Sequence, residues 1–404
     1  MNKDKERKIG PALETQAIRA KAARTEHREH SPPIFLSSSF VFDSAQQAAE
    51  VFANDQPGYV YSRYTNPTVT QFENRLQVLE KADFCLATAS GMSALLALLH
   101  CELQPGDRMV SARQLFHTSR QLFDMMQLRM GIEIEFVDAG DVQAWRRALS
   151  RKAKLAFLEV PTNPLLAVAD LDEIATLCRN FGVRLAVDNT FATAVQFRPL
   201  EYGADWSVVS ATKWLDGQGR CVGGALLGRA EAEDRARNFM RICGPSMSAF
   251  DAWVMLKGLE TLPLRVQSAS RTAFSLAQWL DAHQAEHQVI ERIFYPGLQQ
   301  HSTHAAATRL LDGYGAVLSL RLKGGKKAAW RFIDASKILS ITANLGDTRS
   351  TITHPASTTH RSVPADQKQQ DGIADGLVRI AVGLEALEDL KQDLLGCCEA
   401  VQAL

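Results

Sequence analysis

Residues 183–214 read VRLAVDNTFATAVQFRPLEYGADWSVVSATKW, and this stretch decides the fold class. Val183–Asp188 and Trp206–Ala211 are short, largely apolar runs with polar groups gathered where each run ends. Strands buried on both faces read this way, because neither side of the pleat meets water. The pattern recurs upstream at Phe84–Ala89, Arg108–Ala112, Glu133–Asp138 and Leu155–Val160. Between the runs lie segments of helical periodicity, for example Ser93–Cys101, Thr118–Arg129 and Leu171–Phe181. Strand–helix alternation predicts an α/β fold, a mostly parallel sheet covered by helices. Ligands of such sheets sit at the carboxyl ends of the strands, so the chemistry is sought there.

Outward from this core the pattern changes. A helical stretch over Ser248–Glu286 is expected to bridge two domains. Beyond about residue 290, short strands (Ala316–Lys323, Val378–Val382) mix with helices (Ala328–Ile333, Ala386–Cys397), which reads as a smaller α+β C-terminal domain. Residues 1–30 are charged, and the short helical stretch around Leu13–Ala23 has too few apolar residues for a core of its own. It reads as an arm that lies on something else. Residues 31–70 are rich in Ser, Pro, Asn and aromatics, ending in GYVYSRYTNPT.

Composition narrows the function. The chain has 404 residues, of which 46% are hydrophobic, enough for a large core and two or more domains. Its 45 basic and 45 acidic residues balance, so charge gives no reason to expect nucleic acid or an anionic membrane as partner. The seven cysteines include no CxxC pair, which fits free thiols in a reducing compartment and not a zinc site. The opening MNKDKERKIG lacks the apolar region of a signal peptide, and no apolar run reaches the roughly 18 residues of a membrane span. A cytoplasmic protein is the expectation.

Five segments gather chemistry at strand ends. In SVVSATKW (207–214) a strand runs into Ser210, Thr212 and Lys213. Burial there lowers a lysine's pKa and frees its amine as a nucleophile, although a lysine opening an exposed loop would look the same. In RLAVDNT (184–190) Asp188 is either a turn or cap aspartate or an acid facing a cationic ring nitrogen, as an electron-sink cofactor requires. In ATASGMSALLALL (87–99) a strand passes through Ser90 into a helix. The free N–H groups of Gly91 and Met92 suit a phosphate, although a Ser–Gly here is more often just a cap. In YVYSRYTNPT (59–68) Arg63 offers a planar fork and Tyr61 a hydroxyl; packing aromatics in an interface loop is the plainer role. In EVPTNP (159–164) Asn163 can bond a cofactor hydroxyl with Glu159 beside it, or the segment is only a proline-bounded loop.

Together, in this order, these segments resemble the Cys/Met-metabolism family of pyridoxal 5'-phosphate (PLP) enzymes over nearly the whole chain. YSRYTNPT, ATASGMSA, VDNT, SATKW, GLETLPLR and VRIAVGLE carry the likeness. The family spans cystathionine synthases and lyases, methionine γ-lyase and homoserine-ester sulfhydrylases. SATKWLDGQGR, ITANLGDTRSTITHPASTTH and the Phe of RQLFHTS lean toward the sulfhydrylases. The resemblance implies an aspartate-aminotransferase-like PLP fold (fold type I). It implies an N-terminal arm and intersubunit loop (1–62), a PLP-binding domain (63–257) and a C-terminal domain (258–404). Lys213 would hold PLP as a Schiff base and shuttle protons, and Asp188 would pair with the pyridine nitrogen. Gly91, Met92, Ser210 and Thr212 would hold the phosphate, with Ser90 also among the cofactor-binding residues. Tyr61 and Arg63 would complete that grip from a neighbouring subunit of a homotetramer. Asn163 would bond the phenolic oxygen and Phe116 would stack on the ring. Arg379 and Asn344 would bind the substrate carboxylate. No metal is implied.

Three departures stand out. Phe116 replaces a tyrosine common in the family, keeping the ring but losing the hydroxyl credited with proton transfer in the lyases. Val160 stands where a small hydroxyl residue is usual, and Arg361 where a glycine is common. A basic residue near the mouth, Arg349 or Arg220, is a candidate for a succinyl carboxylate, although a surface or structural role is commoner for either. Readings from other classes fit less well. A nucleotide-binding enzyme lacks GxGxxG or GK[ST] at the needed place. His354 and His360 lie in a Pro/Ser/Thr-rich loop without metal-ligand spacing. A non-catalytic scaffold has no need of Lys213, Asp188 and Arg379 together.

Overall fold

The computed structural model describes residues 11–404. A seven-stranded sheet is built from β1 (Phe84–Thr88), β2 (Arg108–Ala112), β3 (Glu133–Val137), β4 (Leu155–Glu159), β5 (Arg184–Asp188), β6 (Trp206–Val209) and β7 (Gly224–Gly228), in the order β1-β7-β6-β5-β4-β2-β3. β7 runs antiparallel to both its neighbours, and the pairings from β6 through β5, β4 and β2 to β3 are all parallel. Every residue of β1, β2, β4, β6 and β7 is buried. That is why these strands announced themselves as apolar runs, and the helices cover both faces as the alternation predicted.

A second sheet comprises β8 (Ile290–Phe294), β9 (Val317–Leu322), β10 (Ser340–Ile341), β11 (Thr351–Thr353) and β12 (Leu377–Ala381), in the order β10-β11-β12-β9-β8. One apolar cluster runs from Val209 and Leu215 in the first sheet's territory through Leu256 and Leu276 to Leu320 and Ile380 of the second. Each such fully buried aliphatic side chain contributes about 1.5–3 kcal/mol. This shared core fixes β12 against the strand ends of the larger sheet.

The structure corrects the reading in several places. The helical stretch over 248–286 is two main helices, Ala249–Glu260 and Leu262–Ala282, with a short third at Gln284–His287. Pro263 has no N–H to continue a helix but fits a first turn, so the chain restarts at Leu262. β7 went unread because its run is GGALLG, and glycine is a poor strand signal. β6 stops at Val209, two residues early, because Ser210 N–H turns to the Thr190 hydroxyl at 2.9 Å. The arm forms the helix Leu13–Arg19, which buries Ala17 and lies against the helix Pro67–Glu80 and the two main helices that follow residue 248.

Candidate active site

A cavity of about 200 Å³ opens at the carboxyl ends of β4, β5 and β6, facing β12. Its floor begins at the helix Gly91–Glu102, which follows β1. Ser90 caps that helix: its hydroxyl accepts from Ser93 N–H at 3.1 Å. The N–H groups of Gly91 and Met92 have no acceptor within the helix and stand at its positive end. Two glycines make this corner possible. A Cβ on Gly91 would lie 2.8 Å from Ser210 Cβ, and one on Gly224 would lie 2.3 Å from the Ser90 carbonyl oxygen. Thr212 closes the corner. Its hydroxyl donates to Gly223 O at 3.1 Å and accepts from Gly223 N–H at 3.0 Å.

Lys213 projects from the loop after β6. Its Nζ donates to Asn344 Oδ1 at 2.7 Å. Burial first, then the nearby Arg379 charge, push its pKa down to about 8. A measurable fraction of free amine is therefore present near neutrality. Arg379, on β12, is 2% exposed. One guanidinium nitrogen donates to Asn163 Oδ1 at 3.2 Å and the other to Ala343 O at 2.7 Å. Its Nε has no partner among the described residues. Desolvation draws the group down to about 10, still cationic at neutral pH.

Asp188 ends β5. Its Oδ1 accepts from Thr190 N–H at 2.9 Å, but burial wins and raises its pKa. Glu159, its register partner on β4, is also buried and is pushed well above the usual carboxylate range by desolvation and by Asp188. Phe116 precedes the helix His117–Met130; its ring lines the cavity and its N–H donates to Glu159 at 2.7 Å.

Thus Ser90, Gly91, Met92, Phe116, Asn163, Asp188, Ser210, Thr212, Lys213 and Arg379 all line one cavity, and Asn344 touches Lys213. Tyr61 and Arg63 do not line it within one chain. The Arg63 guanidinium lies 4.9 Å from the Tyr64 ring centre and donates to Arg241 O. Arg220 and Arg349 are committed elsewhere, to Asp216 at 2.8 Å and Asp347 at 3.1 Å, and neither lines the cavity. Both ring nitrogens of His354 are engaged within its own region, by Ser357 and the Asp375 carbonyl. Val160 is fully buried core. Sequence reasoning missed Thr190, whose hydroxyl ties β5 to the Lys213 loop, and Gly224, whose missing side chain admits the helix start. The GG pair at 223–224 was the available signal for the second.

A half-buried lysine after one strand, a carboxylate at the end of the next, and free helix N–H groups lining the same cavity are the equipment of a PLP enzyme. A free amine, an anion cradle and a carboxylate for a cationic ring sit in one cavity, so the residues fit that cofactor. The family model for Cys/Met metabolism PLP-dependent enzymes matches residues 14–398. The chain is 46% identical over 385 residues, 95% of its length and 94% of the relative's, to an O-succinylhomoserine sulfhydrylase of Pseudomonas aeruginosa. Among solved structures it is similar to cystathionine gamma synthase from Xanthomonas oryzae pv. oryzae in complex with aminoacrylate and cysteine. The TM-score is 0.92 at 33% identity, covering 98% of this chain and 100% of that one. It is also similar to a Campylobacter jejuni chain described as an O-acetylhomoserine (thiol)-lyase, which carries N'-pyridoxyl-lysine-5'-monophosphate. There the TM-score is 0.91 at 29% identity, covering 96% and 99%. This chain belongs to the Cys/Met metabolism family of PLP-dependent enzymes, and PLP is its cofactor.

Proposed function

We propose that this enzyme carries out γ-replacement on O-succinyl-L-homoserine, with sulfide as nucleophile, to give L-homocysteine and succinate. The reading rests on Phe116, a cavity ring without an ionisable hydroxyl, taken with the likeness to a sulfhydrylase. When bound, PLP supplies an electron sink that makes the substrate's Cα and Cβ protons removable. Lys213 would hold it covalently, with Asp188 toward the ring nitrogen and Ser90, Gly91, Met92, Ser210 and Thr212 toward the phosphate. Asn163 would face the phenolic oxygen. Freed by the incoming substrate amine, Lys213 Nζ would take the Cα proton, hand it on to the bound cofactor and, neutral again, take the Cβ proton, at a pKa near the working pH. Arg379, helped by Asn344, holds the α-carboxylate so that Cγ faces the incoming sulfide. Phe116 covers the cavity and offers no competing proton donor. Succinate departs from Cγ, sulfur bonds there, and Lys213 returns the protons.

We further propose a cytoplasmic homotetramer in which Tyr61 and Arg63 reach a neighbouring subunit's cavity. Support comes from their position outside the cavity of their own chain and from seven cysteines that form no disulfide. No helix among the described residues is long and apolar enough to cross a membrane. The competing readings are cystathionine γ-synthase, O-acetylhomoserine sulfhydrylase and, less well supported by Phe116, methionine γ-lyase; a non-catalytic binder on the same fold would not form the coloured cofactor adduct. One assay separates them. Protein with PLP receives O-succinylhomoserine with sulfide in one tube and cysteine in another, read by mass spectrometry. Homocysteine from the first, with little cystathionine from the second, is the expected result. Dominant cystathionine makes it a γ-synthase, and no product in either tube points to another ester or to a lyase.

A further inference from the structure

Glu159 is a carboxyl group in a costly place. It is 4% exposed, lines the cavity, and stands beside Asp188 in the register of β4 and β5. Its contacts are backbone donors: Phe116 N–H reaches Oε1 at 2.7 Å, and Asn163 N–H also contributes. No Lys, Arg or His forms an ion pair with it among the described residues. The cations of the cavity are engaged elsewhere, Lys213 with Asn344 and Arg379 with Asn163 and the Ala343 carbonyl. Two carboxylates on adjacent strands in a water-poor site repel, so one of them keeps its proton. Burial indicates which. Both accept backbone N–H bonds, Asp188 from Thr190 and Glu159 from Phe116 and Asn163, but Glu159 is 4% exposed whereas Asp188 is only half-buried and also has the Thr190 hydroxyl beside it, so Asp188 is the one favoured as the anion.

We propose that Glu159 is a positioning residue held as a neutral carboxylic acid: it pins the backbone of Phe116 through its carbonyl oxygen and leaves Asp188 as the one anionic carboxylate for the cofactor ring. Its role is indirect, through Phe116 on one side and Asp188 on the other. The arrangement explains why a glutamate and not a small residue ends β4. The side chain is long enough to reach the loop before the helix His117–Met130, and the neutral acid costs far less to bury than a second anion. This inference depends on where the cofactor sits and not on the choice of substrate.

Glu159→Gln keeps a neutral carbonyl acceptor for Phe116 N–H; Glu159→Leu keeps bulk and removes the acceptor. The first readout is the infrared spectrum of the cofactor-free protein at pH 7.5. The wild type should show a protonated-carboxyl carbonyl band that is lost in Glu159→Gln, and so stands as a positive feature in the wild-type minus variant difference. The second is PLP affinity by absorbance titration, with visible circular dichroism of the bound cofactor reporting ring orientation. Glu159→Gln should bind PLP within about twofold of wild type with the same sign and shape of dichroism. Glu159→Leu should weaken binding about tenfold and change the dichroism, the cost of one lost hydrogen bond to a positioned backbone. An unchanged infrared spectrum in Glu159→Gln, or a tenfold loss of PLP affinity in that variant, overturns the proposal, because either means the residue is an anion in the native protein. Wild-type behaviour of Glu159→Leu in both cofactor readouts also overturns it.

Discussion

Lys213 Nζ donates to Asn344 Oδ1 at 2.7 Å across 131 residues of chain, joining the first sheet's loop to the second sheet's approach. The bond favours the charged amine, while burial and Arg379 favour the neutral one, and burial wins, leaving a pKa of about 8. Capture of PLP by the cofactor-free protein needs the neutral amine. The capture rate should therefore climb nearly tenfold per pH unit below about 8 and level off above it. Asn344→Ala removes the acceptor and should move the midpoint to lower pH. Arg379→Gln removes a repelling cation and should move it higher. Stopped-flow absorbance across pH measures both, and Lys213→Ala should yield no adduct that borohydride can trap. Shifts of the same sign in the two variants would refute this account of the lysine.

Arg379 is buried, and two of its nitrogens are already spent on Asn163 and the Ala343 carbonyl, so the fold itself fixes its position. In the role proposed for it, binding the α-carboxylate, a fixed fork orients as well as attracts. Arg379→Ala should raise KM and lower kcat together, for a loss in kcat/KM of about 10²–10⁴, the cost of about 3–5 kcal/mol for unpairing a buried carboxylate. Arg379→Lys should recover little, since an ammonium cannot reproduce the planar fork. Steady-state kinetics on the homoserine ester decides it; unchanged constants would place the carboxylate contact elsewhere.

Much of this site was legible from sequence because strand ends are local features. Asp188, Ser210, Thr212 and Lys213 each terminate an apolar run, and the run itself marks where the residue must lie. The pairings Lys213–Asn344 and Arg379–Asn163 were not legible by spacing, since they are set by how two sheets share one apolar core. The reading of Arg220 and Arg349 as succinyl candidates overlooked a local signal. Asp216 stands four residues before Arg220, and Asp347 two before Arg349, each close enough to claim its arginine. β7 stayed hidden because GGALLG spends on close backbone approach the side chains that would have signalled a strand.

Gly224 illustrates that approach. A Cβ there would meet the Ser90 carbonyl carbon at 2.4 Å and Gly91 N at 2.6 Å, both backbone atoms at the helix start. Neither can yield without moving the N–H groups that face the cavity. Gly224→Ala should lower stability by about 1–3 kcal/mol and weaken PLP binding by about tenfold or more. Thermal denaturation and PLP titration give the two values; an alanine variant that binds PLP as wild type would detach this corner from the phosphate.

Behind the site, Asn189 Nδ2 reaches both Glu80 oxygens, at 3.4 and 3.3 Å, and the Phe197 carbonyl at 2.9 Å. Glu80 is fully buried, and desolvation outweighs these contacts and Arg198 to raise its pKa to about 7. A raised folded pKa means that the native state holds the proton longer than the unfolded chain. Glu80's contribution is thus fully present below the unfolded glutamate range and is lost as pH rises toward about 7. The loss amounts to about 3 kcal/mol across that window. Glu80→Gln cannot ionise, so its stability relative to wild type should improve steadily from about pH 4.5 to 7 and then stay level. Denaturant midpoints measured for both proteins at several pH values test this. A difference between them that does not change between about pH 4.5 and 7 would mean that Glu80 ionises in the folded protein no later than in the unfolded chain, with Asn189 and Arg198 offsetting its burial.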